Sequence, residues 1–380
     1  MTDPTAGPPT GATADQGLAA QPEPDQPEPD QPEPDRPAAG QLSLVARLRQ
    51  PRTIVSLVLP IVLIALFAVS LPGFKLDQLP ATILAANGLL LLAAFGVFYA
   101  GFPLRGWRWS ILVGTSDSFR LRVRDATEII FLSWVVNCLV PAKLGDVYRA
   151  WLLKINSPVS LSRTFGTVFI ERILDLFAIV VLGLGAGFVS FRHGLPAEVQ
   201  LVFAAGVVFV VVLGAGLLTM RNFGRRIVER ASFLPRRIVV LYDRFEEGVF
   251  ASIGLRRLPI LLLMTAAIWA TEATRLYLVV QALGLPDVHL GISGAFFVAL
   301  VASLLTAVPL TPAGIGFVEG GVVGILTTIY VVPLNEALAI TLVDRAISVL
   351  SIIVLGSIAY AISPKRRGLG VVSADLATPA

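Results

Sequence analysis

A single cysteine, Cys138, in 380 residues excludes an intramolecular disulfide framework and a cysteine-rich metal centre. Histidine is almost as scarce. His193 and His289, both beside expected loops, leave no basis for a His-based metal or catalytic centre. No Walker loop with its lysine occurs, no dinucleotide fingerprint and no His-containing triad. Coupling to ATP within the chain is therefore not expected, and neither a cofactor nor a nucleic-acid partner is. A cleavable signal peptide is not expected either, because the first apolar run begins near Thr53 and is long enough to remain as a span. Charged residues make up only 15% of the chain, whereas hydrophobic residues make up 55%.

The mean hydropathy of +0.77 lies far above that of a soluble domain. Several runs reach about 20 apolar residues, the length that crosses a hydrocarbon core of about 30 Å. Six full spans are expected, near 54–71, 82–101, 163–190, 199–219, 258–283 and 336–362. The fold class is an all-α polytopic membrane protein, localised to the cytoplasmic membrane. Residues 1–40 form a separate, disordered acidic tail. Gln-Pro-Glu-Pro-Asp occurs there three times in tandem, and eight acids face one base, a net of −7. Frequent proline and like charge prevent a core from forming. The formal total is +4, so the remainder carries +11. Residues 50–365 are the expected transmembrane domain, and 366–380 a second disordered tail.

Lysine and arginine set the orientation. The approach to the first span, the stretch 102–124, the stretch 221–257 and Lys365-Arg366-Arg367 are basic. The intervening connections carry few cations. Both termini are thus expected in the cytoplasm. Trp107 and Trp109 with Arg105 and Arg108 read as an interfacial aromatic belt with basic anchors. The arginine-rich stretch 221–257 reads as an amphipathic helix pair on the cytoplasmic leaflet, broken by Pro235.

Two stretches do not suit simple spans. Asn137-Cys-Leu-Val-Pro141-Ala-Lys143-Leu-Gly145-Asp146-Val-Tyr-Arg149 places a helix breaker, a glycine, an acid and two cations among apolar residues. Pro309-Leu-Thr-Pro312-Ala-Gly314-Ile-Gly316-Phe-Val-Glu319 repeats the phrase. Pro141-Ala-x-Leu-Gly145 matches Pro312-Ala-x-Ile-Gly316 at an offset of 171. Asp146 matches Glu319 and Glu171-Arg172 matches Asp344-Arg345, both at 173. We read this as an internal duplication. Each half holds span, span, hairpin, span: 53–190 and 199–362. The charge bias makes the first hairpin begin and end on the basic side and the second on the opposite side. That is an inverted-topology repeat with two Pro/Gly-broken helical hairpins, a plan that places binding sites at the pseudo-two-fold interface.

Proline and glycine at the hairpin tips leave backbone groups without helical partners, which lipid does not tolerate unless protein or a watery cavity satisfies them. Pro141, Gly145, Pro309, Pro312, Gly314 and Gly316 are therefore expected to face an internal site. The helix starting after each tip should point its positive end inward, towards an anion. Charges within spans cost roughly 2.5–3.5 kcal/mol each and normally pair in the interior. Arg172 and Arg345 are expected to meet acids of the hairpins, Asp146 and Glu319 first. Glu272 and Arg275 read as a further pair of this kind.

At these motifs the chain resembles the flippase-like family, the transmembrane region of lysylphosphatidylglycerol synthase. Asn137, Pro141, Lys143, Gly145, Asp146 and Arg149 fit the first family motif, with Lys and Asp where Arg and Glu are usual. Pro309, Thr311, Pro312, Gly314, Gly316 and Glu319 fit the second, with Ala313 in place of its first glycine. The resemblance implies transbilayer movement of an amphiphilic lipid, or membrane support for an enzyme acting on lipid. Aminoacyl-transferring members carry a large soluble domain after the membrane part, so this chain is not expected to be an enzyme by itself.

The leading expectation is a flippase for an anionic or zwitterionic phospholipid or a polyprenol-linked lipid. Asn137, Lys143, Asp146, Arg149, Arg172, Glu319 and Arg345 are its candidate substrate-binding residues. The alternative is a glycosyl- or phospho-transferase using a polyprenol carrier, with Asp146, Glu171 or Glu319 as base or metal ligand. A third reading is a scaffold for a separate synthase or glycosyltransferase.

Overall fold

Charge lies inside this protein and much of its apolar surface lies outside. The computed structural model describes residues 78–116, 119–140, 142–191, 197–220, 223, 236–250, 256–306 and 311–368. Among these, Phe188, Leu201, Val208 and Ile362 stand 62–77% exposed, while Arg108, Arg149, Glu171 and Glu319 are 1–6% exposed. Water would reverse that order. A hydrocarbon solvent produces it, because an ionised group there must turn inward and pair.

The elements are almost all helical. Helix α1 is Gln78–Leu84 and α2 Gly88–Val113. A two-stranded hairpin follows, β1 Thr115–Ser116 against β2 Phe119–Arg120, antiparallel with Thr115 opposite Arg120. Helices α3 Val123–Leu139 and α4 Leu144–Asn156 flank the first motif. Then come α5 Leu161–Ser190, α6 Ala197–Thr219, α7 Arg236–Phe250 and α8 Leu258–Leu283. Helices α9 Ile292–Leu305 and α10 Phe317–Thr328 flank the second motif. The chain closes through α11 Leu334–Arg345, a π-helical turn Ala346–Leu350, and α12 Ser351–Ile362.

Among the described residues three helical stretches are long and apolar enough to cross a membrane: Gly88–Val113, Leu161–Ser190 and Leu334–Ile362. Helix α8 has the length, 26 residues, but carries Glu272 and Arg275 in its second half. The four helices around the motifs are shorter. At 17, 13, 14 and 12 residues and about 1.5 Å per residue, each falls short of a hydrocarbon core of about 30 Å. The expected first span, the N-terminal tail and residues 369–380 lie outside the described residues, as do Pro141, Pro309 and residues 224–235.

The interior is built around α2, which packs along α8 and against α3; α5 packs on α7 and α9, and α12 on α3. The α2–α3 crossing is tight because Gly106 has no side chain. A Cβ there would lie 2.1 Å from Thr127 Oγ1 and 2.8 Å from the Thr127 amide nitrogen.

One boundary differs from the sequence expectation, with consequences. Helix α2 does not end near 101 but runs to Val113. Arg105, Arg108 and Trp109 therefore lie inside the bundle, 5%, 1% and 0% exposed, and form no interfacial belt. Of these four residues only Trp107, 48% exposed, stands at the surface. Within the arginine-rich stretch, the described helix α7 lies against α5, where Arg163 pairs with Glu247 at 3.5 Å and Ser162 Oγ donates to the Leu241 carbonyl at 2.6 Å.

Candidate functional site

Both hairpin tips use the same backbone device. Ala142 and Lys143 have φ of 63° and 51°; Ala313 and Gly314, which align with them, have φ of 51° and 70°. Two successive left-handed residues reverse the chain and launch α4 and α10 back along their preceding helices. The first tip is closed by Asn137, whose Oδ1 accepts the Gly145 N–H at 2.8 Å. The second is closed by Glu319, whose Oε2 accepts the Gly316 N–H at 2.6 Å. These amides are the ones a helix N-terminus would otherwise offer to an anion. Side chains of the protein already hold these two, one at each tip, so part of the expected backbone receptor is taken up within the chain.

Six buried or half-buried arginines supply charge, and each has its own carboxylate. Around α5, Arg149 donates two parallel bonds to Glu171 at 2.9 and 2.8 Å, and its guanidinium lies 3.9 Å from the Trp109 ring centre. Arg108 meets Asp175 at 2.6 Å, and Asp175 also accepts from Trp269 Nε1 at 3.2 Å. Arg172 donates to both oxygens of Asp146, at 3.1 and 2.9 Å. Around α8 and α11, Arg345 donates to Glu319 at 2.5 Å and to the Ala313 carbonyl at 2.6 Å. Arg275 donates twice to Asp344, at 2.8 and 3.0 Å, and also bonds Glu272. Arg105 meets Glu272 at 2.6 Å. Bidentate pairing of this kind satisfies charge and geometry together. The Asp146–Arg172 and Glu319–Arg345 pairs span 26 residues each and tie each tip to the helix that follows its hairpin.

Between the tips lies a cavity of about 200 Å³. Asn137 and Lys143 line it from the first tip, Thr311, Ala313 and Gly314 from the second. Arg172 and Arg345 complete its charged wall together with Glu272, Arg275 and Asp344; Phe98, Trp134, Leu276 and Val318 are among its apolar residues. Of the seven candidates from sequence, four line the cavity: Asn137, Lys143, Arg172 and Arg345. Asp146 and Glu319 stand behind, holding the two arginines. Arg149 does not reach the cavity. It is 2% exposed and pairs with Glu171 against the Trp109 ring, so the sequence expectation that it binds substrate is not matched by a place in the cavity lining.

A family model for the lysylphosphatidylglycerol synthase TM region matches residues 53–356. The chain belongs to this family. A UPF0104 membrane protein of Methanocaldococcus jannaschii is 35% identical over 228 residues, 59% of this chain and 92% of that protein. A UPF0104 membrane protein of Methanothermobacter thermautotrophicus is 26% identical over 291 residues, 72% of this chain and 83% of that protein. The chain is also similar to the glycosyltransferase AglD of Haloferax volcanii, 27% identical over 295 residues, 69% of this chain but only 47% of AglD. The tips and all six arginine–carboxylate pairs fall within the region that defines the lysylphosphatidylglycerol synthase TM family. Family motifs reveal the tips. They do not reveal Arg105, Arg108 or Trp269, whose contacts cross 67 to 167 residues of sequence.

Proposed function

We propose that this protein moves an anionic or zwitterionic lipid, phospholipid or polyprenol-linked, across the cytoplasmic membrane. Its two halves, 53–190 and 199–362, are inverted copies with both termini cytoplasmic, and the hairpins enter the bilayer from opposite faces. The observation that carries this reading is the cavity itself, lined by both tips and by charged and apolar side chains together. A polar headgroup cannot cross hydrocarbon cheaply, since each unpaired charge costs several kcal/mol there. A cavity with fixed charges replaces the water the headgroup gives up, while the tails stay in the bilayer. The matched ion pairs, 26 residues apart in both halves, support a pseudo-symmetric gate in which one tip opens as the other closes.

The test is purified protein in liposomes carrying headgroup-labelled phosphatidylglycerol, with an impermeant reagent added outside. Protein is expected to make the inner-leaflet label accessible. Ala302→Trp, which fills the cavity from a residue that is in no ion pair itself, is expected to stop this. Equal accessibility in protein-free liposomes, or full transfer by Ala302→Trp, would remove the basis of the reading.

The similarity to AglD favours a second reading, glycosyl transfer on a polyprenol-phosphate lipid. The carboxylates it would use, Asp146, Glu171 and Glu319, are each engaged by an arginine, so taking a proton or a metal would mean giving up an ion pair. Sugar transfer by the pure protein with a divalent metal, lost in Glu319→Gln, would favour this reading over transport.

A further inference from the structure

The charges around the cavity can be matched one to one, and one is left over. Arg105, Arg108, Arg149, Arg172, Arg275 and Arg345 each lie within 2.9 Å of a different carboxylate: Glu272, Asp175, Glu171, Asp146, Asp344 and Glu319. Lys143 is the seventh cation. It lines the cavity, and among the described residues it has no carboxylate in ion-pair reach. Among the described residues Lys143 is thus the one cation lining the cavity that has no ion-pair partner.

The backbone at Lys143 sharpens the point. Its φ of 51° and ψ of 36° are left-handed, a region that costs a lysine roughly 1–2 kcal/mol and a glycine little. The aligned position in the second hairpin is Gly314, at φ 70°. The tip geometry is therefore satisfied by glycine in one copy, while the other copy holds a lysine in the same conformation. As a helix N-cap, Lys143 makes no side-chain capping bond, so capping does not explain it.

We propose that Lys143 is the charge-reading residue of the site, and that the preferred ligand is a lipid phosphodiester with one net negative charge. This rests on the transport reading and narrows it. A phosphodiester monoanion neutralises Lys143 and leaves all six arginine pairs intact. A phosphomonoester brings a second charge that has no counterpart. A choline headgroup brings a cation for which the described lining offers no unpaired carboxylate, only aromatic rings such as Phe98 and Trp134. The same chemistry occurs in phosphatidylglycerol and in a prenyl phosphodiester-linked sugar, which differ in their tails.

The experiment uses the full chain in nanodiscs and measures competition for the site by four lipids: phosphatidylglycerol, a prenyl phosphodiester-linked sugar, phosphatidic acid and phosphatidylcholine. One of the two phosphodiesters is expected to bind best, and which one identifies the tail. Lys143→Gly is the decisive variant, because it removes the charge and also relieves the backbone. It is expected to melt at or above the wild-type temperature while losing phosphodiester preference roughly ten- to a hundredfold, the worth of one charge-assisted contact. Lys143→Arg is expected to keep the preference. A Lys143→Gly protein with unchanged preference overturns the inference, as does tighter binding of phosphatidic acid than of either phosphodiester. If the wild type shows neither transfer nor any lipid preference, the transport reading falls as well. If it transfers lipid but Lys143→Gly is indifferent, only the role of Lys143 falls.

Discussion

Glu171→Gln separates the structural charges from those facing the cavity. Glu171 is 3% exposed and accepts two bonds from Arg149, at 2.9 and 2.8 Å. Arg108 lies a further 3.3 Å from its Oε1. Glutamine keeps the shape but removes the charge that two buried guanidiniums share. Breaking a buried pair from one side costs about 3–5 kcal/mol, because the remaining charge is left uncompensated. Arg108 retains Asp175 at 2.6 Å, so Arg149 bears most of the loss. The expected cost is about 4 kcal/mol, close to three orders of magnitude in the ratio of folded to unfolded protein. Asp146→Asn is the control. Its partner Arg172 has a side chain 35% exposed and Asp146 one 17% exposed, so the pair is less buried than Arg149–Glu171 and the cost should be smaller, about 1–2 kcal/mol. The assay is thermal and denaturant unfolding of both variants in the same detergent, followed by tryptophan emission; Trp109 beneath Arg149 is a direct reporter. Glu171→Gln as stable as wild type, or Asp146→Asn equally damaging, would refute the division into structural and cavity-facing pairs.

Two further outcomes are expected. Gly145→Ala should cost at least about 1–3 kcal/mol by overpacking, since its Cβ would lie 2.1 Å from the Ser133 carbonyl oxygen and 2.5 Å from Asn137 Oδ1; Gly320→Ala, with nothing within 4 Å in helix α10, should be neutral or gain about 0.5–1 kcal/mol, both read by unfolding temperature. Lys365→Ala should release the segment after α12, because Lys365 Nζ pairs with Asp125 at 2.7 Å and Glu128 at 2.6 Å while its carbonyl accepts from Asn156 at 2.7 Å. Limited proteolysis should then cut near residues 363–368, where the wild type resists. Burial opposes the Lys365 ammonium, but the two carboxylates outweigh it and raise its pKa. The clamp is therefore complete below the ordinary lysine pKa and is lost only as pH climbs past the raised value. Cleavage that appears in the wild type on going from pH 6 to 8 would contradict this.

What could be read from the sequence was local or repeated. The tips were legible because proline and glycine recur at a fixed offset, and the Asp146–Arg172 and Glu319–Arg345 pairs followed from the same duplication. Arg105 and Arg108 were not legible, because a Trp-Arg cluster beyond an apolar run looks like a membrane-interface anchor whichever way the helix continues. Only the continuation of α2 to Val113 turns them inward. Their acids, Glu272 and Asp175, are 167 and 67 residues away, beyond any helical spacing. A signal for them did exist. Glu171, Asp175, Glu272 and Asp344 all lie on apolar helices, and hydrocarbon demands a cation for each. Local pairing supplies too few, so arginines from another helix had to come inside, and α2 carries two. The same accounting, carried to its end, yields the property that packing alone does not: among the described residues around the cavity, six acids answered by six arginines leave Lys143 without an ion-pair partner. A cation left without a partner inside a membrane is unfavourable, and an anionic headgroup of the matching charge removes that cost.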